Sequence, residues 1–197
     1  MRKFLHVGCG IAPQGSLFGF TSPALWQEIR LDIDASVNPD VLGSITDMKA
    51  VESESVDAVY SSHNIEHVYP HDVPVALSEF FRVLAPDGFL IITCPDLQTV
   101  CEAVGRIGLL GTLYVSQVGP IRPLDVLYGY QPAVAAGNEF MAHKGGFVKE
   151  TLEDALADAG FKSTFCWRGG SSLWAVSTKV KRQKGELVAI AQEYFPH

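Results

Sequence analysis

Two rhythms of apolar residues alternate along the chain. Phe4–Val7, Glu28–Ile33, Val56–Ser62 and Phe89–Cys94 are short apolar or alternating runs with the length of strands. The last is continuous enough to be buried on both faces, as parallel strands are. After an Asn38-Pro39-Asp40 turn, Asp40–Ile45 predicts a short third strand or an extended edge. Stripes at helical spacing lie between these runs. Asp72 as N-cap and Pro74 in the first turn open a helix with Leu77, Phe80, Phe81 and Leu84 on one face, and Ala85-Pro86-Asp87-Gly88 stops it. A second helix spans Lys149–Ala159, with Leu152, Ala155, Leu156 and Ala159 as its stripe and Gly160 as its stop. Phe161–Arg168 and Leu173–Thr178, joined through Gly169-Gly170-Ser171-Ser172, read as a closing antiparallel hairpin. After Gly185 an amphipathic helix carries Leu187, Ile190, Ala191 and Tyr194 on one side. Docking onto the domain is the first expectation for it, and a homodimer contact the second.

Two regions break the rhythm. Gly10–Arg30 is rich in Gly, Pro and Phe, includes Trp26, and predicts at most a short or irregular helix. From Leu97 to Gly146 the pattern lapses, with one weak helix over Thr99–Ile107. The aromatic residues Tyr114, Tyr128, Tyr130 and Phe140 argue against disorder there, so 97–146 is expected to be an insertion or lid.

Strands alternating with helices predict an α/β fold, a parallel sheet with right-handed crossovers whose ligands sit at the strand carboxyl ends. Gly10, Asp32, Ser44, Ser61, Ser62, His63, Pro95 and Asp96 all fall at such ends and are expected to share one crevice. The 197 residues, 47% of them apolar, suffice for a full core and are expected to form a single domain over 1–197. No apolar run reaches the roughly 18–20 residues that span a bilayer. The start, Met1-Arg2-Lys3-Phe4-Leu5, imitates a signal peptide until His6, Gly8 and Gly10 break it, so the expected location is cytoplasmic. Cys9, Cys94, Cys101 and Cys166 form no Cys-x-x-Cys pair, which argues against a disulfide or zinc framework. A net charge of −7 argues against a nucleic-acid partner. The one basic cluster, Lys179, Lys181, Arg182 and Lys184, reads as a solvated end of the last strand.

The candidate chemistry begins at Gly8-Cys9-Gly10, directly after the first strand. Glycines there let the backbone approach a nucleoside closely. Asp32, 22 residues past Gly10, can reach ribose hydroxyls. A dinucleotide is disfavoured, because the third glycine of its fingerprint is replaced by Pro13 and a second half of the fold is missing.

These residues resemble a family. Phe4–Gly10, Leu31–Asp34, Val56–His63, Ile65-Glu66-His67 and Arg82–Leu90 follow the order of motifs in class I S-adenosylmethionine-dependent methyltransferases, and are most similar to the small bacterial methyltransferase type 11 group. The resemblance implies a Rossmann-like domain with a mostly parallel seven-stranded sheet, a terminal antiparallel hairpin, and helices on both faces. It also implies S-adenosyl-L-methionine as cofactor. Gly8, Cys9 and Gly10 would lie against the methionine portion, and Asp32, with Ile33 beside it, would take the ribose hydroxyls. Ser44 and Ile45 would flank the adenine, while Ser61, Ser62 and His63 would face the sulfonium end. Where the family usually carries carboxylates, this chain has His6 and Ser44. The implied reaction is methyl transfer to a small-molecule acceptor. Two alternatives are a cofactor-binding regulatory module without turnover, and a metal hydrolase.

The hydrolase alternative rests on His63-Asn64-Ile65-Glu66-His67, which matches a His-x-x-Glu-His zinc pattern. A related Glu-x-x-Glu-His segment holds a divalent metal in small-RNA 2′-O-methyltransferases, and here His63 takes its first position. The expected reading assigns no metal: Glu66 and His67 open a short helix beneath the cofactor and hydrogen-bond locally. His71, beside Asp72, is expected in solvent. In the insertion, His143 with Glu139 four residues before it, near Tyr128, either braces the lid or removes a proton from the acceptor.

Overall fold

The computed structural model describes residues 1–116 and 118–195. Five strands run parallel: β1 (Arg2–Val7), β2 (Trp26–Asp32), β3 (Val41–Leu42), β4 (Val56–Ser62) and β5 (Leu84–Pro95). Two short strands, β6 (Tyr114–Ser116) and β7 (Gly119–Ile121), pair with each other apart from the main sheet. The chain then returns as β8 (Ser163–Gly169) and β9 (Ser172–Thr178), an antiparallel hairpin turning at Gly170 and Ser171. The seven-stranded sheet has the order β3-β2-β1-β4-β5-β9-β8, with β9 antiparallel to β5. The switch point lies between β1 and β4, which places a ligand crevice at their carboxyl ends.

Each face of the sheet has its own core. On one side α1 (Val73–Val83) delivers Leu77 and Phe80 against Leu5, Val59 and Leu90. On the other, Phe4, Tyr60, Phe89 and Ile91 meet Phe20 and Trp26, an aromatic cluster in which Phe4 and Phe20 stack at 4.2 Å. Burying each such ring contributes about 1.5–3 kcal/mol. Phe20 belongs to the crossover between β1 and β2, which contains no helix. Its side chain takes the place a crossover helix would fill.

One expected helix limit shifts, and one expected cap makes no bond. Leu84 leaves α1 and opens β5, paired with Val56, because Ala85 precedes Pro86 and residues before proline avoid helical angles. Asp72 precedes α1, yet its side chain makes no capping bond. Arg82 anchors the end of α1. Its guanidinium is held by Glu79 at 2.6 Å and donates to the carbonyls of Met48 and Val51, each at 2.9 Å, tying α1 to the turn before β4.

The 97–146 span is not structureless. It holds α2 (Leu97–Ile107), the β6–β7 pair, α3 (Pro123–Tyr128), α4 (Gln131–Ala135) and a 3₁₀ turn over Glu139–Met141. Val100, Ile121 and Val126 give it a small core of its own. The chain continues through α5 (Lys149–Asp158), which buries Leu152 and Leu156 beside α1, and ends the described region with α6 (Lys184–Tyr194). Leu187, Ala191 and Tyr194 of α6 are buried in the aromatic cluster, as expected for a docking helix. Lys179 is no solvated strand end: its ammonium donates to the Leu84 carbonyl at 2.8 Å and its side chain is 11% exposed. No described helix is long and apolar enough to cross a membrane.

Candidate functional site

The first end of the crevice is built where β1 and β2 stop. Gly8 (φ +63°) and Gly10 (φ +51°) occupy left-handed angles that glycine takes without strain. The space a Cβ on Gly8 would need is filled by the Asn64 side chain. Beside Gly10 no heavy atom lies within 4 Å of where a Cβ would stand. Asp32 fixes the loop: Oδ2 accepts from the Gly10 amide at 2.8 Å and Oδ1 from the Asp34 amide at 2.9 Å. Arg30 holds the other side, donating to the carbonyls of Gly10 (2.7 Å) and Ala12 (3.2 Å).

Behind this loop lies a pair that the sequence did not announce. His6 Nδ1 donates to Glu28 Oε1 at 2.9 Å, and Glu28 Oε2 accepts from the Gly15 amide at 2.7 Å. Both side chains are at most 5% exposed. Burial lowers the His6 pKa against the opposing pull of Glu28, so the ring is neutral and its Nδ1 carries the proton. Glu28 therefore supplies, from the neighbouring strand, a buried carboxylate where position 6 has none. The available signal was an acid set inside an otherwise strand-like run.

The other expected cofactor residues are placed less uniformly. Ser61 and Thr93 are fully buried at the ends of β4 and β5, and neither hydroxyl has a hydrogen-bond partner. Ser62 follows Ser61, and His63 is bent into the left-handed region at φ +47°. Ser44 bonds locally to Thr46 at 2.8 Å. Ile45 turns into the core with Leu31 and Met48, so its side chain is not free to cover an adenine. Ile33 is exposed beside Asp32. The Cys9 thiol is pushed up in pKa by burial and stays protonated. The open side of Gly10, the Asp32 carboxylate and the buried Asn64 amide, whose Nδ2 has no partner, fit an adenosyl group with an amino-acid tail. Asn64 is the residue that motif reasoning missed.

The second end of the crevice is a cleft of about 210 Å³ where β4 and β5 stop, bounded by His63, Glu66, His67, Pro95, Tyr130 and His143 among others. Ile65–His67 forms a single 3₁₀ turn and not the helix that a His-x-x-Glu-His zinc site requires. His63 and His67 are thus not presented together, and the hydrolase geometry fails. His67 instead meets His143, ring centroids 4.8 Å apart and nearly perpendicular. His67 Nδ1 donates to the Ala142 carbonyl at 3.1 Å, and His143 Nδ1 to the Val126 carbonyl at 2.7 Å. Glu66 is 1% exposed. His63 Nδ1 stands 3.3 Å from its Oε1, an ion-pair distance without hydrogen-bond direction, so neither carboxylate oxygen has a hydrogen-bond partner. Burial pulls the Glu66 carboxyl up, but His63 and His67 outweigh it and hold the carboxyl below its usual range. Burial lowers His143.

The insertion is pinned so that His143 reaches this point. The amides of Lys144 and Gly145 both donate to the Glu66 carbonyl, at 2.8 and 3.2 Å. Gly129, at φ +93°, packs directly on the Met141 carbonyl, where any Cβ would collide. Asp125, bound by Arg122 through two bonds of 2.8 Å, has its pKa lowered to about 2, chiefly by that guanidinium, and fixes the start of α3.

Of the residues expected at the chemistry, His143 alone lines the cleft. Glu139 is exposed and does not orient His143; the Val126 carbonyl does. Tyr128 points outward at 59% exposure. His71 is exposed near Asp72, at 3.6 Å. Asp96 is buried as the cap of α2, accepting from Gln98 and Thr99. A larger hollow, about 270 Å³ between α1 and α5, is lined by Pro70, Val73, Pro74 and Ala155 and offers no cluster of reactive groups.

Residues 5–92 match a family described as a methyltransferase domain. No curated protein matches the sequence. The fold recurs in solved structures. The PH0226 protein from Pyrococcus horikoshii OT3 superposes at a TM-score of 0.60 with 16% identity, over 90% of this chain and 81% of that one. A TehB-like S-adenosylmethionine-dependent methyltransferase from Corynebacterium glutamicum superposes at 0.52 with 18% identity, over 91% and 80%. A third is 1,6-didemethyltoxoflavin-N1-methyltransferase from Burkholderia thailandensis, whose structure contains 1,6-didemethyltoxoflavin and S-adenosylhomocysteine; it superposes at 0.56 with 13% identity, over 91% and 72%.

Proposed function

We propose that this chain, a class I S-adenosylmethionine-dependent methyltransferase in its fold and in residues 5–92, transfers the methyl group of S-adenosylmethionine to a small-molecule acceptor. The reading is carried by one juxtaposition: the loop at Gly8–Gly10 with Asp32, and the polar cleft at Glu66, His67 and His143, open at neighbouring strand ends of one sheet. Bound S-adenosylmethionine supplies an electrophilic sulfonium methyl that an acceptor lone pair can displace in line.

The chain's own task is then alignment and exclusion of water. Asp32, Gly10 and Asn64 would hold the donor, with Asp32 accepting from ribose hydroxyls through lone pairs that its two backbone bonds leave over. The β6–β7 pair and α3 would cover the acceptor, and Glu66, His67 and His143 would receive its polar end. Glu139 and Tyr128 have no part in this reading. A cleft of about 210 Å³ suits a small acceptor. Free thiols at Cys94 and Cys166, both driven up in pKa by burial, suit a reducing compartment, and the reading places the protein in the cytoplasm.

Calorimetry with S-adenosylhomocysteine, followed by methyl turnover over a panel of small hydroxyl, amine and carboxylate acceptors, tests the proposal. One-to-one binding that Asp32→Ala weakens at least tenfold, with turnover of some acceptor, is the expected result. Undiminished binding in Asp32→Ala would overturn the donor site. Binding without turnover would leave a regulatory module in its place.

A further inference from the structure

Glu66, His67 and His143 converge without satisfying one another. The Glu66 carboxylate is 1% exposed, and neither oxygen has a hydrogen-bond partner. An ionised group left in that state is strongly unfavourable unless a cation answers it. The two imidazoles do not answer it as neutral rings. Each is fixed through Nδ1 by a backbone carbonyl, Ala142 for His67 and Val126 for His143. A carbonyl only accepts, so each Nδ1 carries hydrogen and each Nε2 is left as a bare acceptor. One potential ligand atom from each of the three residues, a ring nitrogen or a carboxylate oxygen, lies within 4.8 Å of the other two. Three potential metal ligands thus converge on one place.

Either a proton or a metal ion can resolve this. His63 is half-exposed and makes no directed bond to Glu66. We propose that Glu66, His67 and His143 bind one divalent transition-metal ion of the zinc type. Two imidazoles and a carboxylate are a recurrent donor set for such ions. An Nδ1–H held by a carbonyl, with Nε2 free, is the arrangement that orients metal-ligating histidines. Metal–ligand bonds of about 2.1 Å in a tetrahedron put donor atoms roughly 3.4 Å apart, inside the 4.8 Å within which the three ligand atoms lie. The backbone carrying the ligands is already fixed, because the Lys144 and Gly145 amides donate to the Glu66 carbonyl.

The full chain, stripped with chelator, is titrated with Co²⁺ and then with Zn²⁺. The expected result is visible d–d absorption saturating at one equivalent, displaced by Zn²⁺ and untouched by Mg²⁺. Glu66→Gln and His143→Ala should each weaken Co²⁺ binding at least tenfold, while Cys101→Ser, at an exposed thiol, leaves it unchanged. Glu66→Gln is close to isosteric, so its circular dichroism should match the parent and its result stands even if His143→Ala fails to fold. No saturable absorption, unchanged affinity in the folded Glu66→Gln variant, or loss of the signal in Cys101→Ser overturns the proposal. None of these readouts involves a methyl donor, so failure here is distinct from failure of the methyl-transfer reading.

Discussion

The two ends of the crevice are finished to different degrees. At the Gly8–Gly10 end each carboxylate is answered: Asp32 by two amides, Glu28 by His6 and the Gly15 amide. At the other end Glu66 is as deeply buried and has no hydrogen bond. The first end rests on strands, whose register places its atoms. The second is assembled from a 3₁₀ turn and a segment that arrives 75 residues later in sequence, as His67 and Ala142 do. The carboxylates at the ends of β1 and β2 are complete as folded, whereas Glu66, where the insertion meets the sheet, is not.

Substitutions can break or sharpen this contrast. Phe20→Ala removes the ring on which the loop end is packed, and should cost about 3–5 kcal/mol in urea unfolding while weakening S-adenosylhomocysteine binding. A loss below about 1 kcal/mol would locate the support of that end elsewhere. Glu28→Ala strips His6 and the Gly15 amide of their buried acceptor, for an expected loss of about 2–3 kcal/mol. Glu66→Gln should cost less: in metal-free protein it removes a buried charge faced only at ion-pair distance by His63, so the loss should stay below about 1 kcal/mol. Equal destabilisation by Glu28→Ala and Glu66→Gln would erase the distinction between the ends.

A smaller effect follows from pH. Burial holds both His6 and His143 below the 6.5 of an exposed imidazole, so the unfolded chain binds these protons more readily. Their contribution to stability is therefore present above pH 6.5 and is lost as the pH falls toward the folded values. Urea midpoints should decline from pH 7.5 to 5.5, and His143→Asn should flatten part of that decline. Least of all, Glu139→Gln and Tyr128→Phe, both on exposed side chains, should stay within about 0.5 kcal/mol and leave methyl turnover unaltered.

How legible this was in sequence follows the same division. The strands at Val56–Ser62 and Phe89–Cys94, the hairpin, and the packing of α6 are written in local periodicity, which the structure obeys. Asp32 was legible because a carboxylate at a strand end needs only the strand to be placed. Glu28 was hidden, since its role depends on a neighbouring strand meeting His6. His143 was visible as a residue, but its partners were not. Spacing pointed to Glu139, four positions away, while the 3₁₀ turn at Glu139–Met141 sends that side chain to solvent and the fold brings Glu66 and His67 instead. The His-x-x-Glu-His pattern misled for a related reason, because the segment lacks the length to become a helix.

The seating of Tyr194 against Phe20, at 4.7 Å, and against Phe89, at 5.0 Å, has a consequence in time. On the ribosome the strands bearing Phe4 and Phe89 emerge well before α6 does. Through that interval the aromatic cluster has Phe20 and Trp26 in place but lacks the Tyr194 ring. The aromatic core on that side is therefore completed only when α6 docks.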